Sequence, residues 1–96
     1  MKRALLGALL LTVAGCGIPT SGTMKGIVVE VTGDLTSVEG FTALVEGDAL
    51  DFIPSPDGDY AFPLPHLRDH LRSGDPVLIG WELVDGVRMA TFLDDA

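Results

Sequence analysis

The chain is poor in positive charge. Six lysines and arginines stand against 14 aspartates and glutamates in 96 residues, for a formal net charge of −8. Phosphate binding depends on a basic stripe, so this balance excludes nucleic acid as a partner. Cysteine is scarcer still. Cys16 stands alone, so no disulfide can form within the chain and any fold must rest on packing. Long apolar runs are missing as well. Ala4 to Val13 is a run of ten, broken only by Gly7 and Thr12, and a bilayer-spanning helix needs about 20. Signatures of chemistry are also lacking. The serines are Ser21, Ser37, Ser55 and Ser73, and none lies in a Gly-x-Ser-x-Gly elbow. There is no glycine-rich phosphate loop. With so many acidic residues, chance proximity of two carboxylates identifies no mechanism. The expectation is a protein that is not an enzyme.

What the chain does have begins at its head. Met1-Lys2-Arg3 is positive, Ala4 to Val13 is apolar, and Ala14-Gly15 are small. This order matches a secretory signal rather than a core helix. Val13-Ala14-Gly15-Cys16 resembles the lipobox of bacterial lipoproteins, with Val13 where the family most often has Leu. The resemblance covers residues 1–16. It implies cleavage before Cys16, a diacylglycerol on its sulfur and often a third acyl chain on the new amino group; no cofactor beyond these chains is expected. Two or three chains anchor stably where one does not. The resemblance also implies a lipid-anchored domain on the extracytoplasmic side, at the cell membrane or the outer membrane. Glycine at position 17, in place of aspartate, would permit outer-membrane sorting in a Gram-negative cell. Loss of residues 1–15 would leave Lys25, Arg68, Arg72 and Arg88 against the 14 acidic residues, four against fourteen, or −10. An anionic bilayer surface repels such a domain.

Residues 16–23 read as the lipidated cysteine and a short tether. Gly17 to Thr23 would reach at most about 25 Å. Residues 24–96 then read as one domain. Lys25 to Thr32 alternates with β-branched residues, Ile27, Val29 and Val31 falling on one face. Gly33-Asp34 marks a turn. Val38 to Glu46 is a second strand with Phe41, Ala43 and Val45 on one face. Glu46-Gly47-Asp48 closes a hairpin onto a third, Ala49 to Ile53. Pro54-Ser55-Pro56-Asp57-Gly58-Asp59 is expected to be the longest loop. Pro63 and Pro65 suit a first helical turn, and Leu64, Leu67 and Leu71 form a stripe on a short helix ending near Ser73-Gly74. Pro76 to Val84 is the fourth strand, with Val77, Ile79, Trp81 and Leu83 facing the core. Asp85-Gly86 is a hairpin turn. In Val87 to Leu93 two candidate inward faces compete, which implies a bulge. Asp94-Asp95-Ala96 reads as a frayed acidic end.

The fold class is therefore mainly β: a small five-stranded barrel of order β-β-β-α-β-β, with one short helix between strands 3 and 4. That order resembles the OB-fold, which implies binding across strands 2–3 and the adjoining loops. Gly33-Asp34-Leu35-Thr36-Ser37-Val38 and the stretch from His66 to Val77 also resemble small bacterial lipoproteins of this layout. That likeness bears on architecture and implies no activity.

Candidate functional residues are few. His66 and His70 are four apart on the helix and share a face, which suits a Zn²⁺ site. At 100° per residue they point away from the leucine stripe, toward solvent. A site would need a third ligand, for which Asp69 is adjacent; otherwise both are solvated surface residues. Asp57-Gly58-Asp59 lacks the oxygens and spacing of a Ca²⁺ loop and reads as a turn. Tyr60 and Phe62 flank the proline loop, as packing that pins it or as a small interaction surface. The expected function is a membrane-tethered, non-enzymatic binding or interaction module for an envelope protein or a small ligand. The alternative is a cation-binding or accessory subunit that uses the acidic surface or the His66/His70 pair.

Overall fold

The computed structural model describes residues 19–96; the expected signal sequence, the lipobox-like stretch with Cys16, and Gly17-Ile18 lie outside the described residues. Five strands follow from the alternation: β1 (Ser21–Thr32), β2 (Gly40–Val45), β3 (Asp48–Tyr60), β4 (Val77–Val84) and β5 (Val87–Asp95). Between β3 and β4 lie a 3₁₀ turn, Leu64–His66, and helix α1, Leu67–Ser73. The strands close into a barrel of order β1-β2-β3-β5-β4. All pairings are antiparallel except β3 with β5. This is the expected mainly β, OB-like barrel with its short helix in the expected place.

The hairpins are set by turn chemistry. Glu46-Gly47 and Asp85-Gly86 all have positive φ, the type I′ geometry that matches strand twist. They fix Val45 opposite Asp48 and Val84 opposite Val87. β1 is long enough to serve two neighbours. Ser21 to Gly26 pair with β4, and Ile27 to Thr32 pair with β2. Ser21 to Thr23 are thus strand rather than tether, and Leu83 N–H donates to Thr20 O at 2.7 Å. The expected tether is shortened from its far end by these four residues.

Val28, Phe41, Ala43, Phe52, Val77, Ile79, Ala90 and Leu93 from the strands join Leu67 of α1 in one core. The Phe41 and Phe52 rings stack at 5.1 Å. Trp81 packs against this core half-buried, as its register with Val77 and Ile79 implies. The face expected for β1 needs correction. Val28 points inward and Val29 outward, because Val29 is an extra residue between the pairs Val28–Ala43 and Glu30–Thr42. After that bulge the parity inverts and Val31 packs on the core.

The expected loop at Pro54 to Asp59 also needs correction. β3 continues through it to Tyr60. The ladder to β5 pairs Ile53 and Pro54, skips Ser55 to Gly58, and resumes at Asp59 and Tyr60. The prolines and glycine produce a bulge on an extended path rather than a connecting loop.

Candidate functional site

Helix α1 is where the sequence reading and the structure differ most usefully. The first turn, Leu64 to His66, is 3₁₀, where residues three apart eclipse. Leu64 and Leu67 therefore line up, and His70, one α-helical turn further, follows them inward. Leu67 is fully buried, His70 is 5% exposed, and Leu71 is 39% exposed. The expected stripe of Leu64, Leu67 and Leu71 assumes 100° per residue throughout. His70, expected at the solvent face, takes the inner place of Leu71. His66 stays at the rim, with its side chain 38% exposed.

A buried imidazole needs partners for both nitrogens. His70 Nδ1 lies 2.8 Å from Asp75 O and Nε2 lies 2.7 Å from Asp95 Oδ1. Asp75 is placed by the helix end. Gly74 adopts a left-handed φ of 78° and its N–H caps His70 O at 2.9 Å. Ser73 Oγ then accepts from Asp75 N–H at 3.1 Å. A carbonyl can only accept, so Nδ1 carries the proton that faces Asp75. Nε2 then faces the Asp95 carboxylate.

His66 repeats the arrangement. Its Nδ1 is 3.1 Å from Asp69 Oδ2, and its Nε2 is 3.6 Å from the same Asp95 Oδ1. Asp69 is paired in turn with Arg72. Each imidazole thus commits its outer nitrogen to an oxygen and turns the other toward Asp95. Metal-bound histidines show this outer contact, which fixes tautomer and ring orientation. The ligand atoms of His66, His70 and Asp95 all lie within 4.8 Å of one another. Phe62 backs the cluster, with its ring 4.6 Å from His66 and 5.6 Å from His70. The opposite side opens on a shallow cavity bordered by Ser73, Asp75 and Pro76.

The structure brings His66 and His70 together and supplies Asp95, the one carboxylate, as the third member of the cluster. Asp69, the adjacent acid, instead supports His66 from behind. Asp95, expected in a frayed end, belongs to β5, opposite Val77. The signal for it is present in the sequence: Asp95 is two residues beyond the inward Leu93 and so shares its face. Tyr60 and Phe62 are both partly buried, packed against the core. The Tyr60 hydroxyl lies 2.6 Å from Ser55 O and 3.0 Å from Ala90 O, and it shares its single hydrogen between them. It fastens the bulge to β5. Burial pushes the Tyr60 phenol above its ordinary pKa, against a smaller opposing effect from the bond to Ser55. Asp57-Gly58-Asp59 forms part of that bulge.

A second depression crosses β1, β2 and β3 on the face that OB barrels commonly use. Glu30, Glu39 and Asp51 line it. Thr42 Oγ1 donates to Asp51 Oδ1 at 2.6 Å. Its acidic lining suits no phosphate backbone.

These features define a five-stranded OB-type barrel with a His–His–carboxylate cluster at the rim beside its helix. No family model and no curated protein matches the chain. Among solved structures it is similar to CusF. A Cu(II)-bound CusF variant from Escherichia coli has a TM-score of 0.59 at 14% identity over 83% of this chain and 96% of that one. The silver form, Ag(I)CusF, gives 0.56 at 14% identity over 81% of this chain and 100% of that one. Likeness at this identity establishes the shared barrel. No helix among the described residues is long and apolar enough to cross a membrane.

Proposed function

We propose that the chain is a lipid-anchored, extracytoplasmic, non-enzymatic binding module whose ligand is a metal cation held by His66, His70 and Asp95. One observation carries the metal reading. Both imidazoles have their outer nitrogen engaged, by Asp75 O and Asp69, while their inner nitrogens converge on one carboxylate oxygen. The CusF neighbours, with Ag(I) and Cu(II) in their names, support a cation as ligand for this barrel, on the strength of fold alone. The anchor rests on the likeness of Val13 to Cys16 to a lipobox. With Thr20 already bonded to β4, four steps from Cys16 span at most about 14 Å, so the barrel would sit close to the bilayer.

Equilibrium dialysis of the purified full chain against a mixture of Zn²⁺, Cu²⁺ and Ag⁺, followed by elemental analysis, tests the metal reading. One ion per chain should be retained, and His66→Ala and Asp95→Ala, both at the rim rather than in the core, should abolish retention. A chain that retains no ion refutes it. For the anchor, Cys16→Ala should abolish incorporation of labelled palmitate and release the protein from membranes. A mutant still processed and membrane-bound overturns that part.

A further inference from the structure

The donors of the cluster also select among cations. This step rests on the metal-binding reading above and names its ligand class. We infer that the His66–His70–Asp95 site takes a borderline divalent ion such as Cu²⁺, Zn²⁺ or Ni²⁺ in preference to Ag⁺ or Cu⁺, and leaves that ion a coordination position open to a donor from solution.

The preference follows from the donors. Two imidazole nitrogens and one carboxylate oxygen suit zinc, copper(II) and nickel, whereas thiolates and thioethers select monovalent copper and its soft relatives. No cysteine or methionine borders the cavity. Charge points the same way. Asp95 carries the negative charge that faces both imidazoles, and a doubly charged ion gains about twice the attraction of a singly charged one at equal distance.

Two of the three separations can be set against such an ion, and all three ligand atoms lie within 4.8 Å of one another. Ligands at about 2.1 Å in tetrahedral array stand roughly 3.4 Å apart. Asp95 Oδ1 is 3.6 Å from His66 Nε2 and 2.7 Å from His70 Nε2. The second separation must widen by about 0.7 Å to reach the tetrahedral value. Asp95 can supply that movement, because its side chain is 66% exposed while that of His70 is 7% exposed. His70 is the fixed ligand and Asp95 the adjustable one.

The open position follows from the walls. Phe62 packs behind both rings, and Asp69 is held behind His66. On the cavity side, among the described residues, no fourth histidine, cysteine, aspartate or glutamate side chain joins the three within ligand spacing. Three protein ligands with a free fourth place is the arrangement of exchangeable rather than sealed zinc sites.

The test uses the full chain and two readouts. In competition dialysis, Cu²⁺ and Zn²⁺ should each displace Ag⁺, and Asp95→Asn should weaken Zn²⁺ at least about tenfold. Co²⁺ then serves as a spectroscopic stand-in for Zn²⁺: imidazole added to the Co²⁺-loaded chain should shift the visible bands without stripping the ion. Tighter binding of Ag⁺, lost in the same variants, overturns the divalent preference but leaves the metal reading standing. Bands unmoved by imidazole overturn the open position. Failure of every ion to bind overturns the metal reading itself.

Discussion

Adding one methyl at Gly80 should destabilise the barrel by about 1–2 kcal/mol. Gly80 is buried in β4 opposite Phe92 of β5, beside the bulge at Thr91. A Cβ built on Gly80 would meet Phe92 Cβ at 2.8 Å. Carbon atoms pack best about 3.5–4.0 Å apart, so the two strands must separate by about 0.7 Å or more. A Cβ cannot rotate away as a side-chain tip can, so the strain falls on the ladder itself. Overpacking of this kind costs about 1–3 kcal/mol. Alanine recovers about 0.4–1 kcal/mol by restricting the unfolded chain. The difference corresponds to a fall in Tm of about 5–15 °C, at roughly 4–8 °C per kcal/mol for a domain this size.

Thermal unfolding followed by circular dichroism measures it, with two controls. Gly22→Ala meets Trp81 at an ordinary 3.5 Å and should leave Tm unchanged or slightly raised. Phe92→Gly removes the opposing Cβ, so in the double mutant Gly80→Ala should cost less than it does alone, a favourable coupling of about 1 kcal/mol. Gly80→Ala at or above the wild-type Tm would refute the close approach. Equal cost with and without Phe92 would refute its cause.

Removing the Tyr60 hydroxyl should loosen the β3 bulge: Tyr60→Phe should cost about 1 kcal/mol, or about 4–8 °C in Tm. Burial raises the phenol's pKa in the folded state above its ordinary 10.0. Its contribution is therefore complete below pH 10 and lost as pH rises beyond it, and Tyr60→Phe should lack that alkaline fall in Tm. At the other end of the scale, Asp34 Oδ1 accepts from Thr36 N–H, the Ser37 and Thr36 hydroxyls, and Ser37 N–H. These bonds, Thr36 N–H foremost, hold its carboxyl below the ordinary 3.8. Stability from this turn is present above pH 3.8 and lost as pH falls through the lower folded value. Urea midpoints measured between about pH 2 and 5 should fall more steeply for the wild type than for Asp34→Asn, and parallel curves would contradict the assignment.

Turn chemistry and alternation make most of the barrel legible. Asp85-Gly86 reads as a two-residue turn and is one; Glu46-Gly47-Asp48 reads as the close of a hairpin, and its turn proper is Glu46-Gly47, with Asp48 already paired to Val45, because positive φ at both turn positions is a local requirement that few residues meet. The rivalry of Ala90 and Phe92 with Val87, Met89 and Leu93 reads as a bulge, and Thr91 is that extra residue. The bulge at Val29 leaves no such mark. Ile27, Val28 and Val29 are all β-branched, and a pattern that counts only apolarity lets any of them take either face. Pro54 to Gly58 misleads because proline and glycine forbid regular pairing without forbidding an extended path. His70 falls on the wrong face in a uniform helical count because a 3₁₀ turn of three residues rotates the helix that follows it. Pro63 and Pro65 mark the start of that element but not its pitch. The partnership of His66 and His70 is visible from spacing. Their meeting with Asp95 depends on barrel closure and strand register, with Asp95 25 positions beyond His70, and no local pattern contains it.

That meeting turns on a single residue. Cross-strand partners share a face, so Asp95 lies on the side of Val77, the core side, at the rim beside α1. Counting back along β5, Leu93 opposite Ile79 is inward and Ala90 opposite Trp81 is inward, three residues apart rather than two. Thr91 absorbs the difference. Without it, alternation from Ala90 would turn Phe92 and Asp94 inward, and Asp95 would face away from the helix. The same bulge requires Phe92 to lie close over Gly80. A glycine in the middle of a core strand, which weakens the strand on its own account, therefore has a structural counterpart in the site. It accommodates the irregularity that brings a carboxylate to two histidines. The OB-type barrel is shared with CusF at 14% identity, yet nothing in shared topology sets this parity. The proposed ion binding is thus a property of the Gly80–Thr91 irregularity and the 3₁₀ start of α1, grafted onto a common barrel.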